Sequence, residues 1–178
     1  MIKVAIFGGS FDPPHIGHHK IIEKALELLD IDKLIVVPAY LNPFKHSSHA
    51  TPADRLHWCK KIFAHPKVEV SSYEIDQHKS IVSAHTIAHF KAFYEVNYFI
   101  IGADNVASLD KWYNFEWINE HITWAIAHRD AIDFDTSTLR EWVDLPIQAN
   151  ISSTMIRSAL LIDHVDHRIK DEITKVYR

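Results

Sequence analysis

Short, continuously apolar runs alternate with amphipathic segments along the whole chain, and that alternation predicts a parallel sheet covered by helices on both faces. The runs read as strands are Ile2 to Phe7, Lys33 to Pro38, Val68 to Ser71, Tyr98 to Gly102, Ile122 to His128 and Leu145 to Gln148. Their apolar character is unbroken, as expected of strands buried on both sides. Between the first two, Ile16 to Leu29 places Ile22, Leu26 and Leu29 on one stripe at helical spacing, a core-facing stripe without chemistry. Thr51-Pro52-Ala53-Asp54 reads as a helix start with a capping hydroxyl, a first-turn proline and an early acid; the helix reaches Ala64 and carries Arg55 in its first turn. Ser83 to Phe93, Ser158 to Ile162 and about Arg168 to Tyr177 are further helical patterns. The expected fold class is α/β: a Rossmann-like, doubly wound, mainly parallel sheet with C-terminal helices. No repeat, low-complexity tract or linker interrupts the 178 residues, so residues 1–178 are expected to form one domain.

At the end of the first strand the pattern changes from packing to chemistry, in Gly8-Gly9-Ser10-Phe11-Asp12-Pro13-Pro14-His15-Ile16-Gly17-His18. The backbone amides of Gly8, Gly9 and Ser10 can approach an anion closely, and the following helix adds unpaired N–H groups and its dipole. His15 and His18 have the spacing that projects both from one face of a first helical turn. Gly17 removes a side chain where a nucleotide would pass. Two glycines after a strand are most often a turn, and a lone histidine is most often a surface or core residue. Their combination is more specific. It is neither the three-glycine dinucleotide fingerprint nor a Walker loop.

A second anion site stands near the C-terminus, in Ile151-Ser152-Ser153-Thr154-Met155-Ile156-Arg157. Hydroxyls before a helix cap its free N–H groups, and together with a permanently charged arginine they also suit a polyphosphate. In an open α/β sheet, ligands bind beyond the carboxyl ends of the strands where strand order reverses. If the first strand neighbours Tyr98 to Gly102, their exits build one crevice. Asp104 would then face a nucleotide as an acceptor for ribose hydroxyls or for a bridging water or metal; by residue type alone, a helix-capping aspartate is an equal reading.

Composition narrows the partners. A 47% apolar content and a net charge of −4 give no basic excess that would suit nucleic acid, and no apolar run reaches membrane-spanning length. The single cysteine, Cys59, excludes an intramolecular disulfide, suits a cytoplasmic location and reads as a structural thiol. Histidine is the one oddity, at 14 residues, with pairs at His46/His49, His85/His89 and His164/His167. Without a cysteine partner or a His-Glu-x-x-His motif, the pairs predict no dedicated metal site.

The opening motif resembles the His-x-Gly-His signature of the nucleotidyltransferase superfamily, in the form written by bacterial nicotinate-nucleotide adenylyltransferases. The resemblance spans nearly the whole chain: Ser152 to Arg157 is similar to the family's Ser-Ser/Ala-Thr-x-x-Arg, Pro38 to Lys45 to its proline-rich loop, and Phe99 to Asp104 to its fourth-strand motif. Trp112-Tyr113 and the terminal Val176-Tyr177-Arg178 follow the family pattern as well. The resemblance implies adenylyl transfer from ATP to nicotinate mononucleotide, giving nicotinate adenine dinucleotide and pyrophosphate, with Mg2+ entering on the ATP phosphates. It assigns His18, with His15 alongside, to charge stabilisation at the triphosphate. Gly8, Gly9, Ser10, Phe11, Lys45, Asp104, Ser153, Thr154 and Arg157 fall to ATP, and Ser83, Ala84, Trp112 and Tyr113 to the pyridine substrate. A homo-oligomer is compatible with it.

Two stretches depart from the family. Its Ser-Tyr-Thr-x-x-Thr-Leu is replaced by Ile81-Val82-Ser83-Ala84-His85-Thr86-Ile87, and its Arg-Arg-Pro-Gly type sequence by His128-Arg129-Asp130-Ala131. The competing readings are phosphopantetheine or nicotinamide mononucleotide adenylyltransferase, a nucleotide-binding regulator without chemistry, and a histidine-based metal-binding protein.

Overall fold

The computed structural model describes residues 1–129, 133–148, 152–159 and 161–177. Among the described residues six strands form one sheet: β1 (Lys3–Gly9), β2 (Lys33–Pro38), β3 (Val68–Val70), β4 (Glu95–Gly102), β5 (Thr123–His128) and β6 (Trp142–Pro146). The order is β3-β2-β1-β4-β5-β6 and every pairing is parallel. The chain thus reverses its direction of travel across the sheet between β1 and β4, which lie side by side from Lys3↔Glu95 to Phe7↔Ile100. This is the doubly wound arrangement that the alternating pattern predicts.

Successive residues of each central strand point to opposite faces, and both faces are covered. Ala5, Phe7, Leu34, Val36, Ile100 and Leu145 pack on one side with α1 (Ile16–Leu28), α2 (Pro52–Ile62) and α7 (Lys170–Val176). Val4, Ile6, Ile35, Phe99, Ile101 and Trp124 pack on the other with α4 (Ser83–Lys91) and α5 (Phe115–His121). Double burial explains the unbroken apolar runs. The Cys59 thiol lies in the first layer, where burial pushes its pKa up, in keeping with a structural role.

Element limits differ from the sequence reading where pairing rather than hydrophobicity decides them. β4 begins at the exposed Glu95 because Lys3 and Val4 supply ladder partners. β6 is Trp142–Pro146 instead of Leu145 to Gln148; as an edge strand beside β5 it buries only Leu145. The helical pattern assigned to Ser158–Ile162 belongs to an earlier helix, α6 (Ser153–Ala159), followed by a short 3-10 turn over Ile162–His164. Three elements escape the periodicity reading. These are the one-turn α3 (Tyr73–Asp76), a 3-10 helix over Ala103–Lys111, and α5. The 3-10 helix buries Ala103, Val106 and Leu109 at a spacing of three, which fits its tighter winding.

The doubly covered sheet makes a core deletion costly. Ile35→Ala, in the fully buried centre of β2, is expected to lower unfolding free energy by about 2–5 kcal/mol. In urea unfolding this lowers the midpoint with the m-value unchanged.

Candidate nucleotide site

An open cleft of about 370 Å³ lies where the chain leaves the carboxyl ends of β1 and β4, a size suited to a small-molecule ligand. Gly8, Gly9, Ser10, Phe11 and His18 form one wall. Gly102, Asp104, Trp112 and Tyr113 face them from the β4 exit, while Ser153, Thr154 and Arg157 close one side. Lys45 reaches across from the loop after β2, its Nζ lying 3.4 Å from Ser10 Oγ. The structure therefore gathers the two anion motifs, one near each end of the sequence, into one site.

Two predicted site residues are not on the wall: His15 and Ala84 are buried behind it. His15 is the N-cap of α1, with extended backbone, rather than a residue of the first helical turn. Its Nδ1 accepts the Gly17 N–H at 3.0 Å, and His18 Nδ1 accepts the His15 N–H at 3.0 Å. The two imidazoles thus form a reciprocal capping box, a device normally built from hydroxyl and carboxyl side chains. A ring nitrogen that accepts a backbone N–H cannot carry a proton, so both rings are fixed as neutral Nε2–H tautomers. The rings stack with centroids 3.8 Å apart. Burial, reinforced by His19 and His164, brings the His15 pKa down to about 4, and burial with His15 and His19 holds His18 well below 6.5. At neutral pH His18 presents the cleft with a hydrogen-bond donor and not a base.

Phe11 also does more than offer an amide. Its ring is buried against Phe7, Phe63 and His18, and its φ of 51° turns the chain sharply after the glycines. A Cβ at Gly9 would meet that ring at 3.2 Å, so the glycine leaves room for the Phe11 ring as well as for a ligand. Gly102 acts similarly toward Asp104, whose Oδ1 lies 2.6 Å from where a Cβ would stand. Asp104 is exposed and lines the cleft. It does not cap the helix, whose N-cap Gly102 has no side-chain partner.

Asp12, which the sequence reading left without a role, anchors the second motif. Its carbonyl accepts from Arg157 Nη1 at 2.6 Å, and the neighbouring Pro13 carbonyl accepts from Ser153 Oγ at 2.8 Å. The Ser153 hydroxyl proton is thereby committed to the protein. Thr154 Oγ1 accepts from Arg157 Nη2 at 3.3 Å, and Ser152 caps α6 by accepting the Met155 N–H. Beneath this layer lies Arg55, fully buried in the first turn of α2. It donates to Ser10 O and Ala39 O at 2.7 Å each, to Tyr40 O at 2.9 Å and to Ala50 O at 3.3 Å. Periodicity places Arg55 on the helix, but its carbonyl partners belong to loops that meet only on folding.

The far end of the cleft is aromatic. Trp112 packs edge-on against Phe99 and Trp124, and the exposed Tyr113 meets His85 at 5.4 Å. Ser83 opens α4 and lines the wall. Thr86, the hydroxyl kept from the family motif, donates at 2.7 Å to the buried Glu74 of α3, which also lines the cleft. Burial pushes the Glu74 pKa up to about 7 against the lowering effect of that bond. Sequence reasoning missed Glu74 because it lies on a helix too short for a periodic signal. Of the second departure from the family, Asp130 and Ala131 lie outside the described residues.

Among the described residues no group of three or more His, Cys, Asp or Glu side chains is placed to hold a metal ion, and no helix is long and apolar enough to cross a membrane. The cleft does offer the Asp104 carboxylate and the Ser10 and Thr154 hydroxyls, the hard oxygen donors that a divalent cation carried by a polyphosphate accepts.

A parallel sheet reversing at β1/β4, with both anion motifs at that point, defines a nucleotide-handling α/β protein. The chain belongs to the cytidylyltransferase-like family, whose model matches residues 6–159. Within it, the chain is 50% identical over 177 residues to a protein of Sulfurovum sp. named "probable nicotinate-nucleotide adenylyltransferase", covering 99% of this chain and 94% of that one. A Campylobacter jejuni protein of the same name is 41% identical over 179 residues, covering 99% and 97%. The solved structure of the Plasmodium falciparum nicotinic acid mononucleotide adenylyltransferase, complexed with NaAD, shares the fold at a TM-score of 0.79 and 18% identity, covering 99% of this chain and 98% of that one.

The capping histidines and Glu74 have opposite linkage to stability. Between about pH 6.5 and pH 4 the unfolded chain takes up protons that His15 and His18 refuse when folded, so their contribution falls as pH falls. Glu74 holds a proton up to about pH 7 when folded but only to about 4.5 when unfolded, so its contribution rises over nearly the same window. Glu74→Gln is therefore expected to steepen the loss of stability from pH 7 to pH 5 relative to the wild type, measured by urea unfolding at stepped pH. An unchanged slope counts against the assignment.

Proposed function

We propose that this chain catalyses adenylyl transfer from ATP to nicotinate mononucleotide, releasing pyrophosphate and forming nicotinate adenine dinucleotide. The observation that carries the reading is the cleft itself: a cationic, donor-rich end around His18, Lys45 and Arg157, and an aromatic end at Trp112 and Tyr113. The names of the relatives over almost the full chain agree with it.

The attacking group is a phosphate monoester with a second pKa near 6, so it is largely dianionic at neutral pH and needs no strong base. Its oxygen forms a bond to the α-phosphorus of ATP as the bond from that phosphorus to the β-bridging oxygen breaks, and the electron pair leaves on pyrophosphate. The protein's task is to align the two nucleotides and offset the charge moving onto the leaving group. His18 Nε2–H is the neutral donor at the α-phosphate, and His15 holds it in that tautomer. Lys45 and Arg157 neutralise the β- and γ-phosphates, with Thr154 and the amides of Gly8 to Phe11 beside them. Asp104 would stand beside a divalent cation such as Mg2+ carried in on the ATP phosphates, and that cation would supply further neutralisation of the leaving pyrophosphate. Trp112 and Tyr113 flank the pyridine ring, and the N–H of Ser83 at the start of α4 receives its carboxylate, with Ala84 packed behind the wall.

Two outcomes test the reading through pyrophosphate release. His18→Ala is expected to lower kcat by about a hundred-fold or more, the scale of one lost transition-state donor, in a protein that still folds but with Tm lowered by loss of the capping bond to His15 N–H. Near-wild-type turnover would remove His18 from the mechanism. With nicotinate mononucleotide, nicotinamide mononucleotide and phosphopantetheine compared as acceptors, kcat/KM is expected to be highest for the nicotinate; a preference for either alternative overturns the substrate assignment.

A further inference from the structure

The buried carboxylate of Asp12 occupies a position that the proposed chemistry does not use directly. It stands in the cleft wall at 3% exposure, between the β1 motif and α6. Oδ2 accepts the His49 N–H at 2.8 Å; Oδ1 accepts the Ala50 N–H at 3.0 Å and the phenol of Tyr177. Burial pushes this carboxyl up, yet the phenol, the two amides and the charge of Arg157 together hold it below the ordinary carboxylate range. Asp12 is therefore a fixed anion whose side chain is tied to the 49–50 loop and to Tyr177, while its main-chain carbonyl ties Arg157.

Tyr177 is itself well anchored. Its N–H bonds Ile173 O at 3.0 Å and its ring lies against Trp58 of α2. Glu172 of α7 reaches His57 and Lys61 of α2, and Arg168 donates to the carbonyls of Lys61 and Ile62. The phenol thus transmits the position of a docked helix pair to one carboxylate oxygen. The other close donors are the amides of the 49–50 loop, and the only further side chain at that carboxylate among the described residues is the exposed His49 imidazole, whose Nδ1 lies 3.5 Å from Oδ2 and not at the Oδ1 that Tyr177 holds.

We propose that Tyr177 is a positioning residue of the triphosphate site: through Asp12 it fixes the carbonyl that aims the Arg157 guanidinium into the cleft. Removing the hydroxyl leaves the ring packing against Trp58 in place but frees Asp12 to shift, and the Asp12 carbonyl moves with it. Arg157 then loses its aim toward the phosphates, while the aromatic end of the cleft is untouched. The inference rests on the reading of Arg157 as a phosphate ligand.

The test is Tyr177→Phe, alone and combined with Arg157→Ala, in steady-state pyrophosphate release and in calorimetric binding of inorganic tripolyphosphate. The single variant is expected to lose about ten-fold in kcat/KM for ATP and in tripolyphosphate affinity, the scale of one hydrogen bond to a charged group, with KM for nicotinate mononucleotide unchanged. In the Arg157→Ala background the same change is expected to add less than about two-fold, because both act through one contact. Equal losses for both substrates, a full loss repeated without Arg157, unaltered ATP kinetics, or failure of the variant to fold would each overturn the proposal, the last because the phenol would then serve the fold and not the site. A wild-type protein that binds tripolyphosphate but makes no pyrophosphate refutes the proposed reaction, and the binding cycle still decides the role of Tyr177.

Discussion

The site depends on one buried guanidinium. A doubly wound sheet sends several loops off its carboxyl edge, and loops buried there carry main-chain carbonyls that must find donors. Arg55 supplies them: the loop after β1 is bound at Ser10, the loop after β2 at Ala39 and Tyr40, and the approach to α2 at Ala50. Three segments that would otherwise move independently are thus referred to one rigid helix. The Arg55 guanidinium bonds carbonyls rather than a carboxylate, so the carbonyl dipoles, with Asp12 nearby, offset the cost of burying its charge. The phosphate motif of β1 and the lysine-bearing loop keep a fixed separation for the same reason.

On that base the opening motif resolves into two layers. His18 faces the cleft, and His15 lies beneath it as a cap. Backbone N–H groups fill the Nδ1 of both rings, so protonation of either ring would break a capping bond as well as charge a desolvated group. The histidines are thereby kept neutral next to each other, where two cations would repel. Neutrality costs little catalytically in the proposed reaction, where the substrate phosphate would itself be the nucleophile. A donor is needed and a base is not.

The alternating apolar runs make the sheet, its double coverage and the β1/β4 reversal legible, because burial on both faces writes itself into every residue of a strand. Thirteen of the fifteen predicted site residues line the one cleft, since glycines, hydroxyls and an arginine at strand and helix ends have few other uses in combination. What stays illegible is whatever depends on partners distant in sequence. Arg55, Asp12, Glu74 and Tyr177 are ordinary residues until folding brings carbonyls, amides or a hydroxyl to them. His15 is misplaced for a related reason: His-x-x-His spacing cannot distinguish two residues of a helical turn from an N-cap and its third residue. Edge strand β6 is blurred because partial burial leaves no clean alternation, and the 3-10 helix because its spacing of three matches neither the α-helical nor the strand period.

The two ends of the cleft differ in how rigidly they are held, and that difference follows the sequence's own departures. At the proposed phosphate end three groups are tied to the backbone, His18 to His15 N–H, Arg157 to Asp12 O and Ser153 to Pro13 O, while Lys45 reaches Ser10 Oγ. At the aromatic end Tyr113 is exposed, Trp112 is held by ring packing, and Val82 stands where the family carries a tyrosine. What remains firm there is the Glu74–Thr86 bond, which pins the first turns of α4 to α3. A buried carboxyl near the proposed seat of a substrate carboxylate would be unfavourable if both were ionised. The raised pKa of Glu74 removes that conflict by letting it keep its proton near neutrality. The replacement of Ser-Tyr by Ile81-Val82 fits this arrangement, since it makes the lining of the cleft that Glu74 shares more apolar.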